Sequence, residues 1–148
     1  MHLSRLSLRL LLFFGLAGIA CVWLQLVGLS SAYCGSEPNC AIHEQSCRQE
    51  IGDRVVELDI TPKPVAAMAE LTFRISVSGE SLSAAPVIDL GMPGMHMGPN
   101  RVNLEKVEDA TYEGKGVIVR CPSGKRIWRA TVTIPEAGQA EFIFDVIY

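Results

Sequence analysis

Glu70-Leu71-Thr72-Phe73-Arg74-Ile75-Ser76-Val77 alternates polar and apolar residues without a break. A period of two puts Leu71, Phe73, Ile75 and Val77 on one face and the polar residues on the other, which is the signature of a half-buried β-strand. A helical stripe also needs apolar residues three apart, and here the residues three on from Leu71 and Phe73 are Arg74 and Ser76.

The same reading extends in both directions. Upstream, Arg54 to Ile60 is rich in Val, Leu and Ile and stops at Thr61-Pro62-Lys63-Pro64, where prolines interrupt ladder hydrogen bonding. Downstream, Val87 to Met92 and Arg101 to Lys106 read as strands. Tyr112 to Arg120 reads as another, with Gly114 and Gly116 marking a bulge or a close approach of backbone. Trp128, Ala130, Val132 and Ile134 alternate in a sixth strand, and Ala140, Phe142, Phe144 and Val146 in a seventh. Seven short strands separated by turn residues predict an all-β fold, a seven-stranded antiparallel immunoglobulin-like β-sandwich over residues 53–148.

The N-terminus reads differently. Arg5 and Arg9 precede a run from Leu10 to Ala32 that carries no charge. About 20 helical residues cross a bilayer core, so residues 1–32 are expected to form a short cytoplasmic stub and a single transmembrane helix. Cleavage as a signal peptide after Ser30-Ser31-Ala32 is the alternative; a lipoprotein signal at Cys21 fits least, because the apolar run continues past it. Arg5 and Arg9 on the near side keep that end in the cytoplasm, which predicts a bacterial inner-membrane protein with its C-terminal domain in the periplasm. Subtracting Arg5 and Arg9 from 13 basic residues leaves 11 against 16 acidic ones, a net charge of −5 for the exported part. With no basic stripe to neutralise phosphates, no nucleic-acid partner is expected.

Residues 33–52 read as a Cys-containing linker. Cys34, Cys40, Cys47 and Cys121 all lie beyond the apolar run, and four cysteines in an oxidising compartment predict two disulfides. Three pairings are open; Cys34 with Cys40 and Cys47 with Cys121 is preferred, the second placing a bridge beside Trp128. A small metal knot of Cys34, Cys40, His43 and Cys47 is a weaker alternative, because no second close cysteine pair completes a zinc motif.

The remaining signal is Gly91-Met92-Pro93-Gly94-Met95-His96-Met97-Gly98-Pro99-Asn100. It holds three of the chain's five methionines and one of its three histidines, among residues that favour turns. Thioether sulfur is a soft, uncharged donor that suits Cu(I), and imidazole also binds copper. In an extended segment Met95 and Met97 point to one side and His96 to the other. Met92, Met95, His96 and Met97 are therefore the candidate metal ligands, with Cu(I) as the metal. The competing structural reading is that the methionines fill the open end of a sandwich.

The cysteine before the first strand, the Pro-x-Pro after it, Met95-His96-Met97-Gly98-Pro99-Asn100-Arg101 and the Cys121 to Trp128 spacing together resemble the YtkA-like and FixH-like membrane-anchored periplasmic domains. The resemblance covers about residues 47 to 146. It implies copper binding at Met95 and Met97 and a role in copper handling or the assembly of haem–copper respiratory oxidases. An oxidase subunit or another copper chaperone would then be the partner, with the membrane engaged through the N-terminal helix.

Enzymatic function is not expected. The sequence contains no Gly-x-Ser-x-Gly, no His-Glu-x-x-His, no phosphate-cradling glycine loop and no Cys-x-x-Cys pair. Two functions stand: a Cu(I)-binding module, with Cys121 as a further ligand if its thiol is free, and a non-metal interaction domain that docks on a membrane complex through the Met-rich loop.

Overall fold

The computed structural model describes residues 37–148. The segment expected to cross the membrane, Cys21 and Cys34 lie outside the described residues. Nine strands form among those described: β1 Cys47–Ile51, β2 Arg54–Thr61, β3 Glu70–Val77, β4 Val87–Gly91, β5 Arg101–Asn103, β6 Glu105–Glu108, β7 Thr111–Val117, β8 Ile127–Ile134 and β9 Gly138–Asp145. They make two antiparallel sheets, ordered β1-β2-β3-β7-β6 and β5-β4-β8-β9. None of the described residues is helical.

The period-two segments bury the faces assigned to them. Leu71, Phe73 and Ile75 of β3 face Trp128, Ala130 and Val132 of β8 and Phe142 and Phe144 of β9 in one core. Burying each large apolar side chain stabilises the fold by about 1.5–3 kcal/mol. The outward residues pair across strands instead, as Arg74 does with Glu113 of β7.

Three departures from the sequence reading have physical causes. First, one of the two strands beyond the expected seven arises because the expected Arg101–Lys106 strand changes sheets: Arg101–Asn103 pairs with β4, and Glu105–Glu108 pairs with β7. Between them the backbone lies tight against β7. A Cβ at Gly114 would sit 2.2 Å from the Asn103 carbonyl oxygen, and one at Gly116 would sit 2.7 Å from Val102 Cγ2. Close backbone approach thus accounts for Gly114, and the packing of the Val102 and Phe73 side chains accounts for Gly116.

Second, the segment read as a linker is built into the sandwich. Cys47–Ile51 adds an edge strand to β2. Ile42 is fully buried. Asn39 bonds to Ile143 through both its amide and its side chain, covering part of the exposed β9 edge. Polar composition hid this because an edge strand buries little and the hydrogen bonds come from the backbone.

Third, the preferred disulfide pairing is overturned. Cys40 bonds to Cys47, with a Cα–Cα distance of 5.5 Å. That excludes both Cys34–Cys40 and Cys47–Cys121. Cys121 is buried and has no disulfide partner among the described residues. Trp128 is fully buried without a bridge from Cys121 to Cys47.

The registers sort the loops into two groups. Segments 61–69, 92–100, 118–126 and 146–148 share one end of the sandwich, since Gly91 pairs with Arg129, Ile127 with Asp145, and Glu70 with Val117. The amides of Ala67 and Met68, bonded to Ile147 and Ile118, join the two sheets there. The turns at 52–53, 78–86, 109–110 and 135–137 occupy the other end.

Candidate metal centre

β4 delivers the Met-rich loop and β5 takes the chain back. Pro93 and Gly94 turn it at once: Gly94 has φ 69°, which the third position of a type II turn requires, and the Met95 amide donates to the Met92 carbonyl at 3.1 Å. A second bond, from the Leu90 amide to the Asn100 carbonyl at 2.8 Å, closes the base of the loop. The loop is therefore anchored at both ends.

The turn divides the methionines. Met92 is only 2% exposed and belongs to the core. Met95 and Met97 are half-buried and pack against the core from the outside, while His96 is exposed. That is the alternation expected of an extended segment.

Beside them is an open cleft of about 280 Å³ on the outer face of the β5-β4-β8 sheet, where Met95, His96 and Met97 meet Asp89, Arg101 and Arg129. Arg101 ends the Met95–Arg101 run but was given no role in the sequence, and Asp89 and Arg129 were not singled out. Their signal was parity: Asp89 shares its face with Gly91, and register sets Asp89 opposite Arg101 and Gly91 opposite Arg129. Arg129 lies 3.5 Å from Glu141.

The donor chemistry of the cleft is two neutral thioethers, one imidazole and one carboxylate. Among the described residues no three His, Cys, Asp or Glu side chains converge as a conventional metal cluster. The fit to a soft monovalent ion thus depends on sulfur, and both sulfur-bearing side chains line a cleft open to solvent.

The metal knot considered for the linker is excluded by bonding. Cys40 and Cys47 are joined to each other and offer no thiolate. His43 Nδ1 accepts the Val65 amide at 3.0 Å, so the lone pair of that nitrogen is already engaged. Its Nε2 lies 3.2 Å from Asp145 Oδ1, close but not aligned as a hydrogen bond. His43 fastens the N-terminal segment to the sandwich.

Cys121 begins the turn Cys121-Pro122-Ser123-Gly124, closed by the Gly124 amide on the Cys121 carbonyl at 3.0 Å. Its Sγ is 3.0 Å from Ser123 Oγ. Hydrogen bonding from the Ser123 side chain, then from the Ser123 amide, holds the thiol below its ordinary range against the opposing effect of burial; the Lys125 amide and charge add to this. Cys121 shares the Met loop's end of the sandwich but does not line the cleft.

No family model matches this sequence, and no curated protein or solved structure matches the chain.

Proposed function

We propose that the chain is a membrane-anchored, exported copper-binding protein that carries Cu(I) on Met95 and Met97. In this reading it delivers the ion to a respiratory haem–copper oxidase subunit or another chaperone, and it is a carrier rather than an enzyme. The observation that supports it best is the shared side of Met95 and Met97: two thioethers, two residues apart, at the wall of an open cleft. His96, between them, is exposed and available as a third donor.

Charge supports the oxidation state. Thioethers bring no negative charge, Asp89 faces Arg101 across the strand pair and Arg129 is paired with Glu141, so the cleft offers no excess negative charge to hold a hard divalent ion and its soft sulfurs favour Cu(I). A thioether has no proton to lose, and binding should persist on acidification to about pH 5. The test is Cu(I) loading of the oxidised protein, with one ion expected per chain and sulfur dominating the copper X-ray absorption spectrum.

The strand orders support an immunoglobulin-like variety of sandwich. β2, β3, β7 and β6 follow the order A-B-E-D, and β4, β8 and β9 follow C-F-G. The family reading, YtkA-like or FixH-like, rests on Met95-x-Met97-Gly98 with Cys121 and Trp128.

A second reading has its own observation. Met95 and Met97 pack against the core, as gap-filling methionines do, and their half-exposed tips would suit an adaptable contact surface. Under that reading the loop docks on a membrane complex without metal.

A further inference from the structure

The two ends of the sandwich differ in charge. Of the segments at the Met-loop end, 61–69, 92–100, 118–126 and 146–148 contain Lys63, Arg120, Lys125 and Arg126, while 41–46, which Lys63 ties to the same end through the carbonyls of Ile42 and Gln45, adds one exposed acid, Glu44. The four at the opposite end, 52–53, 78–86, 109–110 and 135–137, contain Asp53, Glu80, Asp109 and Glu136 and no basic residue. Lys63 and Arg126 are paired with Asp59 and Asp145. Arg120 and Lys125 have no acidic partner among the described residues. Arg120 instead lies over the Tyr148 ring, 5.2 Å from its centroid.

Exposed apolar side chains gather at the basic end. Met68 is 68% exposed, Val119 43% and Tyr148 41%, with Val117 and Ile147 close to these values. Met68 is held outward from a left-handed backbone at φ 62°, an uncommon conformation for a residue with a long side chain, fixed by its amide bond to the Ile118 carbonyl at 2.8 Å. Of the exposed large apolar residues among those described, only Val107 of β6 lies elsewhere. Val and Met beside an amphipathic tyrosine and unpaired Arg and Lys combine side chains that enter the acyl boundary with side chains that bind lipid phosphates.

We propose that the end of the sandwich carrying Met68, Val119, Arg120, Lys125 and Tyr148 rests on an anionic lipid surface, with the acidic end facing away. Charge complementarity selects the occupant: unpaired cations bordering apolar groups fit a bilayer rich in anionic headgroups, and the acidic end is repelled by the same surface. In the sequence only residues 33–38 lie between the apolar run and Asn39, which is hydrogen-bonded to Ile143 of β9. The inference rests on the membrane-anchored part of the function proposed above for proximity alone. It is independent of copper.

Amide exchange of the full chain in nanodiscs tests it, comparing phosphatidylcholine alone with a phosphatidylcholine–phosphatidylglycerol mixture. The expected result is slowed exchange in 61–69 and 118–126 in the anionic discs, with 78–86 and 135–137 unchanged. The protection should disappear at about 1 M salt. It should also fall in the double variant Arg120→Glu, Lys125→Glu, whose exposed substitutions leave the melting temperature unchanged. At about fivefold per basic residue, the double variant should bind anionic vesicles at least tenfold more weakly. Protection that is equal in both discs, absent from both, or found at 78–86 and 135–137 overturns the proposal. If the chain does not enter discs, the anchor is refuted, and the same comparison with added phosphatidylglycerol vesicles decides the surface by the same criteria.

Discussion

The Met95 amide donates to the carbonyl of Met92 at 3.1 Å, so one tight turn separates a methionine in the core from one at the wall of a cleft. Two thioethers that look alike in the sequence thereby take different roles. Met92→Ala should cost about 2–5 kcal/mol, as truncation of a buried methionine does, and leave Cu(I) affinity within about twofold. Chemical denaturation and a copper competition titration on the same variant check both halves. A copper-binding defect without loss of stability would contradict the division.

Gly114 reports on the strand that changes sheets. A methyl group there meets the Asn103 carbonyl oxygen at 2.2 Å, and backbone cannot swing aside as a flexible side chain can. Gly114→Ala should destabilise by about 1–3 kcal/mol or more, measured as a lower urea midpoint. An unchanged midpoint would mean that β5 and β6 do not cross β7 at that height.

Such crossings explain how far the sequence could be read. Period-two alternation identified β3, β8 and β9 because each buries one face along its whole length. It could not show the break at Leu104, since one run of apolar alternation serves two sheets equally well. Gly114 and Gly116 were legible as a close approach but not its cause, which is a contact between residues remote in sequence. In the site, Met95, His96 and Met97 were visible by composition and parity, whereas Asp89, Arg101 and Arg129 join them only through strand register. The cysteines were legible as a disulfide framework but not as a pairing, because spacing does not give three-dimensional distance.

The Cys40–Cys47 bridge closes a loop with a sequence separation of 7. The chain-entropy relation gives about 2–3 kcal/mol for a loop of this length. Peptide mapping of the oxidised protein should recover Cys40 linked to Cys47, and the double variant Cys40→Ser, Cys47→Ser should lose about that much stability. Recovery of Cys47 linked to Cys121 would refute the pairing.

Glu57 makes the same corner of the fold sensitive to acid. It accepts a hydrogen bond from Ser46 and pairs with Arg48 at 2.8 Å. The Ser46 bond first, and Arg48 second, hold its carboxyl below the ordinary value of 4.5. A depressed folded-state value means that the contribution is present above the unfolded pKa and is lost as pH falls through the folded one. Urea midpoints should therefore show wild type above Glu57→Gln at about pH 7, with the gap closing by about pH 3. A gap independent of pH would show that the carboxylate's charge is not involved.

The central claim is that Met95 and Met97 hold Cu(I), and the most direct measurement is the Cu(I) dissociation constant of the double variant Met95→Leu, Met97→Leu. Leucine keeps approximate volume and apolarity, at a usual cost below about 1.5 kcal/mol, while removing both sulfurs. The predicted result is a folded protein, with its Cys40–Cys47 bridge intact, whose Cu(I) affinity falls by at least about a hundredfold, or about 2.7 kcal/mol. Undiminished binding of one Cu(I) by the leucine pair would contradict the account and direct attention to Cys121.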